Sequence, residues 1–254
     1  MFFGSNNEKD LFNNFEKIGL KNDIKNNNML IKIKSARAYK KNHPCTDMYL
    51  LKNLVTFIYQ NGGTCAITEG SNGYLTENLI TFGFKDMLNY YDIKVIDVDL
   101  VDCDEVLVNG ETHYIPKCFQ EYSVRIGFPA TSKWEEMLYS NNVKLFFGAV
   151  PRKKYQLENL NISKGVPRPK LHINLHSSVV NVFLAINNYS PFKYYLNGGL
   201  SYNEKTGEFT LPETYIGNNA LELDNYLFQT YFNDCEYPEY LNILKQKITA
   251  SNKR

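Results

Sequence analysis

The sequence predicts an α/β fold: a mostly parallel sheet flanked by helices, with an antiparallel hairpin insertion. Three observations carry this expectation. Between residues 29 and 98, short apolar runs alternate with amphipathic stretches, the β-α-β-α-β order that builds parallel sheets. Residues 105–115 alternate around Asn109-Gly110, which signals a hairpin. With 254 residues, 43% of them hydrophobic and 22% charged, the chain can bury a sizeable core, which excludes disorder, collagen and a coiled-coil rod. No internal repeat or linker-like stretch divides it, so one domain over residues 1–254 is expected.

Residues 5–19 suit a helix capped by Ser5, with Glu8 three residues on and Leu11, Phe12, Phe15 and Ile18 on one face. Met29–Ile33 reads as a strand. A loop with His43-Pro44 leads to an amphipathic helix from Asp47 to Tyr59, capped by Thr46 or Asp47 and stopped by Asn61-Gly62-Gly63. Cys65–Thr68 is a second strand, 75–90 a helix and Ile93–Val98 a third strand. After the hairpin come a strand at 122–127, a helix at 132–140 and a basic loop over 151–170. Helices are expected at 177–187, 215–231 and 237–249.

Lys and Arg total 28 against 27 Asp and Glu, so a strongly basic nucleic-acid binder is not expected. None of the five Cys forms a C-x-x-C pair, which removes the thiolate spacing that an iron–sulfur cluster or zinc ribbon needs. An odd, scattered set reads as reduced thiols, hence a cytoplasmic setting. The first residues lack the basic and apolar regions of a signal peptide, and no apolar run approaches the roughly 20 residues of a membrane span. Neither a G-x-G-x-x-G nor a P-loop motif is present, so a dinucleotide or nucleotide phosphate site of those kinds is not expected.

Four features carry candidate chemistry. His172 and His176, four residues apart, share a side of either a strand or a helix, so they can ligate a divalent metal or divide acid and base work; a packing pair is the alternative. Glu69-Gly70-Ser71 falls where a parallel strand should end, the usual crevice in open α/β sheets. Gly70 and Gly73 can turn amides toward an anion, with Glu69 as a base, or the segment is an ordinary turn. Lys32, Lys133 and Lys144 lie in or beside apolar segments, where a lysine anchors a carboxylate, acts as a base, or snorkels to the surface. Arg152-Lys153-Lys154, Lys164, Arg168 and Lys170 make the central loop basic, able to cover an anionic substrate, contact RNA or stay solvated. Tyr189, Tyr194 and Tyr195 form either a partner surface or half-buried core.

The ordered residues also resemble a known family. Leu30-Ile31-Lys32, His43-Pro44, Asn61-Gly62-Gly63 and Thr68-Glu69-Gly70-Ser71 resemble the opening of the domain of unknown function 362 family. Lys144–Pro151, His176, Asn197-Gly198-Gly199 and Leu223-Asp224 resemble its later segments, so the likeness runs over about residues 29–245. It rests on the order of weak motifs. Leu145 stands where the family has Asn, Asn197 where it has Asp, and Ile33 where it has Pro. Many members carry a ferredoxin-like cysteine segment that this chain lacks, so an iron–sulfur role does not transfer. The resemblance implies a fold similar to the N-terminal part of nickel-dependent lactate racemase, an analogy of fold and not of chemistry.

Together these readings predict a small-molecule enzyme acting on a carboxylate- or phosphate-bearing metabolite by proton transfer: isomerisation, racemisation or group transfer, within a biosynthetic pathway. Glu69, His176 and Lys144 are the expected catalytic residues. Lys32, Gly70, Ser71, Lys133 and Arg152 are expected to bind substrate, and His172, His176 and Asp224 a metal. The alternative is a non-catalytic accessory protein that binds a metal or a partner. A homo-oligomer is compatible with either.

Overall fold

The computed structural model describes residues 1–35, 44–134, 137–157 and 168–251. His43 and Lys164 of the sequence reading lie outside them. The chain opens with β1 (Phe2–Ser5), α1 (Glu8–Lys17), α2 (Leu20–Ile24), β2 (Asn28–Ile33), α3 (Met48–Gln60) and β3 (Thr64–Glu69). It continues through α4 (Leu75–Thr81), α5 (Lys85–Tyr90), β4 (Lys94–Asp97), the hairpin β5 (Cys103–Val108) and β6 (Glu111–Pro116), and β7 (Val124–Phe128). Then follow β8 (Ser132–Lys133), α6 (Asn142–Leu145), α7 (Pro169–His172), α8 (Leu175–Tyr189), β9 (Tyr194–Asn197), β10 (Leu200–Asn203), β11 (Gly207–Thr210) and β12 (Thr214–Gly217). α9 (Ala220–Tyr231) and α10 (Glu239–Ser251) complete the fold.

Seven strands form the main sheet in the order β1-β12-β9-β7-β2-β3-β4. The five from β9 to β4 are parallel, and β12 and β1 extend the sheet antiparallel. The pleat splits β2 between two cores. Met29, Ile31 and Ile33 pack with helices α1 to α4, whereas Leu30 joins the core built on α8, α9 and α10. Buried on both faces, the central strands read as continuous apolar runs. The hairpin turns at Asn109 and Gly110, both at positive φ (52° and 80°), as a two-residue primed turn requires. No helix among the described residues is long and apolar enough to cross a membrane.

Several expected elements differ. Ser5 belongs to β1, and Asn7 caps α1 instead, its side chain accepting from the Asp10 amide at 2.9 Å. Asp47 does cap α3, accepting from the Leu50 amide at 3.0 Å. The stretch 75–90 breaks into α4 and α5 at Gly83, where φ is +76°. The described part of 132–140 is not helical: the backbones of Ser132 and Ser140 exchange hydrogen bonds of 2.9 and 2.7 Å, closing a loop. Residues 215–217 join β12 because β1 and β9 offer partners on both sides, so α9 starts only at Ala220. Tyr194 and Tyr195 are buried on β9 and form no surface. Within the basic loop, Arg152–Tyr155 forms a 3-10 turn and Pro169 opens α7.

Candidate functional site

The chain leaves β2 for β3 and β4 on one side and returns with β7 and β9 on the other. That reversal splays the loops apart at the carboxyl ends of β2 and β7, where open α/β sheets form a crevice. A cleft of about 150 Å³ lies there. Lys34 enters it from the end of β2, Glu69 from β3, Pro129 and Ala130 from the end of β7, Lys144 from α6, and Gly148 and Arg168 from the segments that follow.

At its base is an ion pair. Lys32 Nζ lies 2.6 Å from Glu69 Oε2, with both side chains buried, and donates a second hydrogen bond to the Ile33 carbonyl at 2.7 Å. Glu69 Oε1 accepts from the Gly70 amide at 2.8 Å. Burial pulls the Lys32 ammonium below the ordinary lysine value, while the charge and hydrogen bond of Glu69 pull it back. The backbone of Gly148 packs against this pair, where a Cβ would fall 2.5 Å from Glu69 Oε1. Only glycine lets the chain pass so close.

Lys34 continues the series Leu30, Lys32 along alternate positions of β2. Its ammonium donates to Ser132 Oγ at 3.1 Å and lies 5.9 Å from the Trp134 ring centroid. Burial lowers its pKa to about 7, helped by the like charge of Lys144; Cys45 and Glu69 oppose the shift. The Cys45 thiol is itself pushed up to about 12 by burial, so it is protonated at neutral pH. Arg168 is buried, donating to the Val150 carbonyl at 2.7 Å and the Gly148 carbonyl at 3.3 Å. Burial lowers it to about 10, with Asp99 and Glu69 opposing.

The loop after β3 does not work as expected. Gly70 N also donates to the Gly148 carbonyl, Ser71 N and Gly73 N donate to Asp97 at 3.1 and 2.7 Å, and Asn72 N donates to Asp99 at 2.8 Å. The chain's own carboxylates consume the amides that the sequence reading gave to a ligand. Arg152 also serves this loop. Its guanidinium pairs with Asp99 at 3.1 Å and donates to the Gly70 carbonyl at 2.6 Å, so it braces the backbone and does not line the cleft. Lys133 lies outside the lining too, paired with Asp234 at 2.6 Å.

The histidines are not brought together with Asp224. His172 ends α7 and His176 lies in α8, and the helical path breaks at residues 173–174, so a spacing of four no longer sets a shared face. His172 packs edge-on against Phe147, which lines the cleft, at 5.3 Å. His176 lies 3.5 Å from Glu239 and stacks on Tyr240, away from the lining. Among the described residues no three His, Cys, Asp or Glu side chains gather as a metal would need.

Asp224 holds α6 in place. It is fully buried and accepts from the Asn142 amide at 3.0 Å, the Asn142 side chain at 2.8 Å and the Val143 amide at 3.0 Å. Burial raises its pKa to about 7 against the pull of these hydrogen bonds. Asn142 and Asn197 exchange two side-chain hydrogen bonds of 3.1 and 3.0 Å. The segment bearing Lys144 is thus clamped from α9 and from β9. This explains Asn197: a carboxylate there would face Asn142 Oδ1 with no proton to give. Asn197→Asp is expected to cost about 1–3 kcal/mol at pH 8, the penalty for an unmade buried hydrogen bond. The loss should shrink toward pH 5 as the new carboxyl is protonated, which urea unfolding at the two pH values would measure.

Of the predicted site residues, then, Lys32, Glu69 and Lys144 converge, with Gly70 against Glu69. Lys34 was missed, and Arg168 was named only as part of the basic loop able to cover an anionic substrate. The signal for Lys34 was its place two residues beyond Lys32, on the same side of β2. No curated protein matches this chain. A family model described as Domain of unknown function (DUF362) matches residues 29–226, the part that holds the whole cleft lining. The chain belongs to that family.

Proposed function

We propose that this protein binds a small carboxylate- or phosphate-bearing molecule in the cleft and acts on it by proton transfer. The supporting observation is the charge balance. Among the described residues, Lys34, Lys144 and Arg168 line the cleft together with one carboxylate, Glu69, which Lys32 already matches. Cations held without full hydration in a recess favour an anionic guest. In this reading Lys144, Lys34 and Arg168 hold the anion, Glu69 is the proton acceptor, and Lys32 keeps its carboxylate in place.

Calorimetric titration with inorganic phosphate, pyruvate and malonate tests the binding. Affinity for at least one should fall about tenfold or more in Lys144→Met, the cost of losing a charged partner. It should also weaken as pH rises above 7 and Lys34 loses its proton. Proton exchange at the carbon beside the carboxylate, followed by NMR in D2O, tests the chemistry. Absence of binding by all three anions would remove the proposal.

A further inference from the structure

Lys34 stands apart from the other cations of the cleft. Lys32 is spent on Glu69, and Arg168 Nε and Nη2 donate to the Val150 and Gly148 carbonyls, whereas Lys34 Nζ rests on a hydroxyl, Ser132 Oγ. That hydroxyl also accepts from Trp134 Nε1 at 2.9 Å. Among the described residues Lys34 therefore makes no hydrogen bond to a carboxylate, and a second lysine, Lys144, lines the same recess. A desolvated lysine beside another cation is the arrangement that makes an amine nucleophilic at neutral pH.

We propose that Lys34 forms an imine with the carbonyl carbon of a small 2-oxo acid whose carboxylate is held by Lys144 and Arg168. The inference rests on the anion-binding reading and adds a covalent step and a substrate class to it. The Nζ lone pair adds to the carbonyl carbon, a C–N bond forms, and the C=O π pair moves to oxygen, which takes the proton that nitrogen releases. Loss of that oxygen as water, with a second proton, leaves the imine. No oxidant or reductant enters. The Ser132 hydroxyl, in contact with Nζ, is placed to pass the protons. The imine draws electrons from the neighbouring C–H bond, and Glu69 is the carboxylate in the lining that can take that proton. Size fits as well: an apolar cavity of about 150 Å³ accepts benzene, and pyruvate likewise has six heavy atoms.

The groups that set the state of Lys34 are Lys144, Lys32, Glu69 and Cys45, from four separate segments of the chain. Burial is the largest influence and, with these groups, brings the pKa to about 7, so attack should speed up through that pH.

The test is reduction of the intact protein with sodium cyanoborohydride in the presence of pyruvate, read by intact mass and peptide mapping. One reduced pyruvate adduct is expected on Lys34, formed on the order of tenfold or more faster than on any other lysine. It should be absent in Lys34→Arg, whose fold is checked by circular dichroism. Calorimetry with oxalate, which carries carboxylates but no ketone, separates the two levels. Oxalate binding without a pyruvate adduct on Lys34, or with adducts only on surface lysines, overturns the imine and leaves the anion site standing. Failure of oxalate, pyruvate, malonate and phosphate alike to bind overturns both.

Discussion

Glu69→Gln is expected to destabilise the protein by about 3–5 kcal/mol, the cost of removing one member of a buried ion pair. The variant keeps the shape of the side chain and removes its charge. Lys32 is fully buried and would retain only the Ile33 carbonyl as a partner of fixed polarity. Its ammonium could not stay charged at that depth without cost, so it would lose its proton instead. Stability of the variant should then rise with pH toward 10.5 more steeply than that of the native protein. Thermal unfolding should shift down by roughly 10 °C for a chain of this size. Lys32→Met combined with Glu69→Leu should recover most of the loss, because an apolar pair of similar volume needs no solvation. Denaturant unfolding of the single and double variants decides the matter. A double variant as unstable as the single one would show that the packing around Gly148 is at stake and not the charge.

Lys34→Met is expected to do the reverse at neutral and acid pH. Well below pH 7 Lys34 is protonated in both the folded and unfolded chains. Between about 7 and the ordinary value of 10.5 the unfolded chain holds a proton that the folded chain has released. Native stability therefore rises across that window as far as this group is concerned. Below it the folded protein carries the full penalty of a half-buried ammonium crowded by Lys144 and Lys32. Removing the charge should gain on the order of 2–4 kcal/mol at pH 6, discounted for the water that reaches the side chain. The gain should fade toward pH 10. Urea unfolding across pH 6–10 would show the crossover, and equal gains at both ends would mean that the pKa of Lys34 is not lowered. The variant should also lose affinity for anions, so stability and binding move in opposite directions at one residue.

The sequence makes legible those parts of this structure that follow from local chemistry. Strands β2 and β3 stand out because strands covered on both faces need apolar runs, and β4 because Val95 and Ile96 sit in a short β-branched run. The hairpin stands out because Asn109-Gly110 suits positive φ. The strands β1, β9 and β12, each of four residues, do not stand out, because pairing partners outside their own local sequence make them strands, β1 with β12 at the far end of the chain and β9 with β7 across the intervening helices. Tyr215–Gly217 continues an apolar helical pattern and is overruled by β1 and β9. The same division holds at the site. Lys32, Glu69 and Lys144, which meet at the cleft, are marked in the sequence by strand ends and by the family's motif order. Lys34 was missed because the apolar run ends at Ile33, and its value lies in neighbours that only the fold supplies. The spacing of His176 from His172 carries no such mark, because it is informative only along an unbroken element and the two lie in separate helices.

The cleft also has a kinetic meaning. Lys34 touches Ser132, 98 residues away in sequence, and shares one recess with Arg168, farther still along the chain. Every wall thus comes from a contact that closes a long loop, and such contacts slow folding. A chain still emerging from the ribosome would display β2, α3 and β3 with Lys32 and Glu69 but would lack the Lys144 and Arg168 side of the recess. Occupancy by an anion would accordingly report completion of the whole parallel sheet, and a ligand present during refolding would trap the last step without hastening the first.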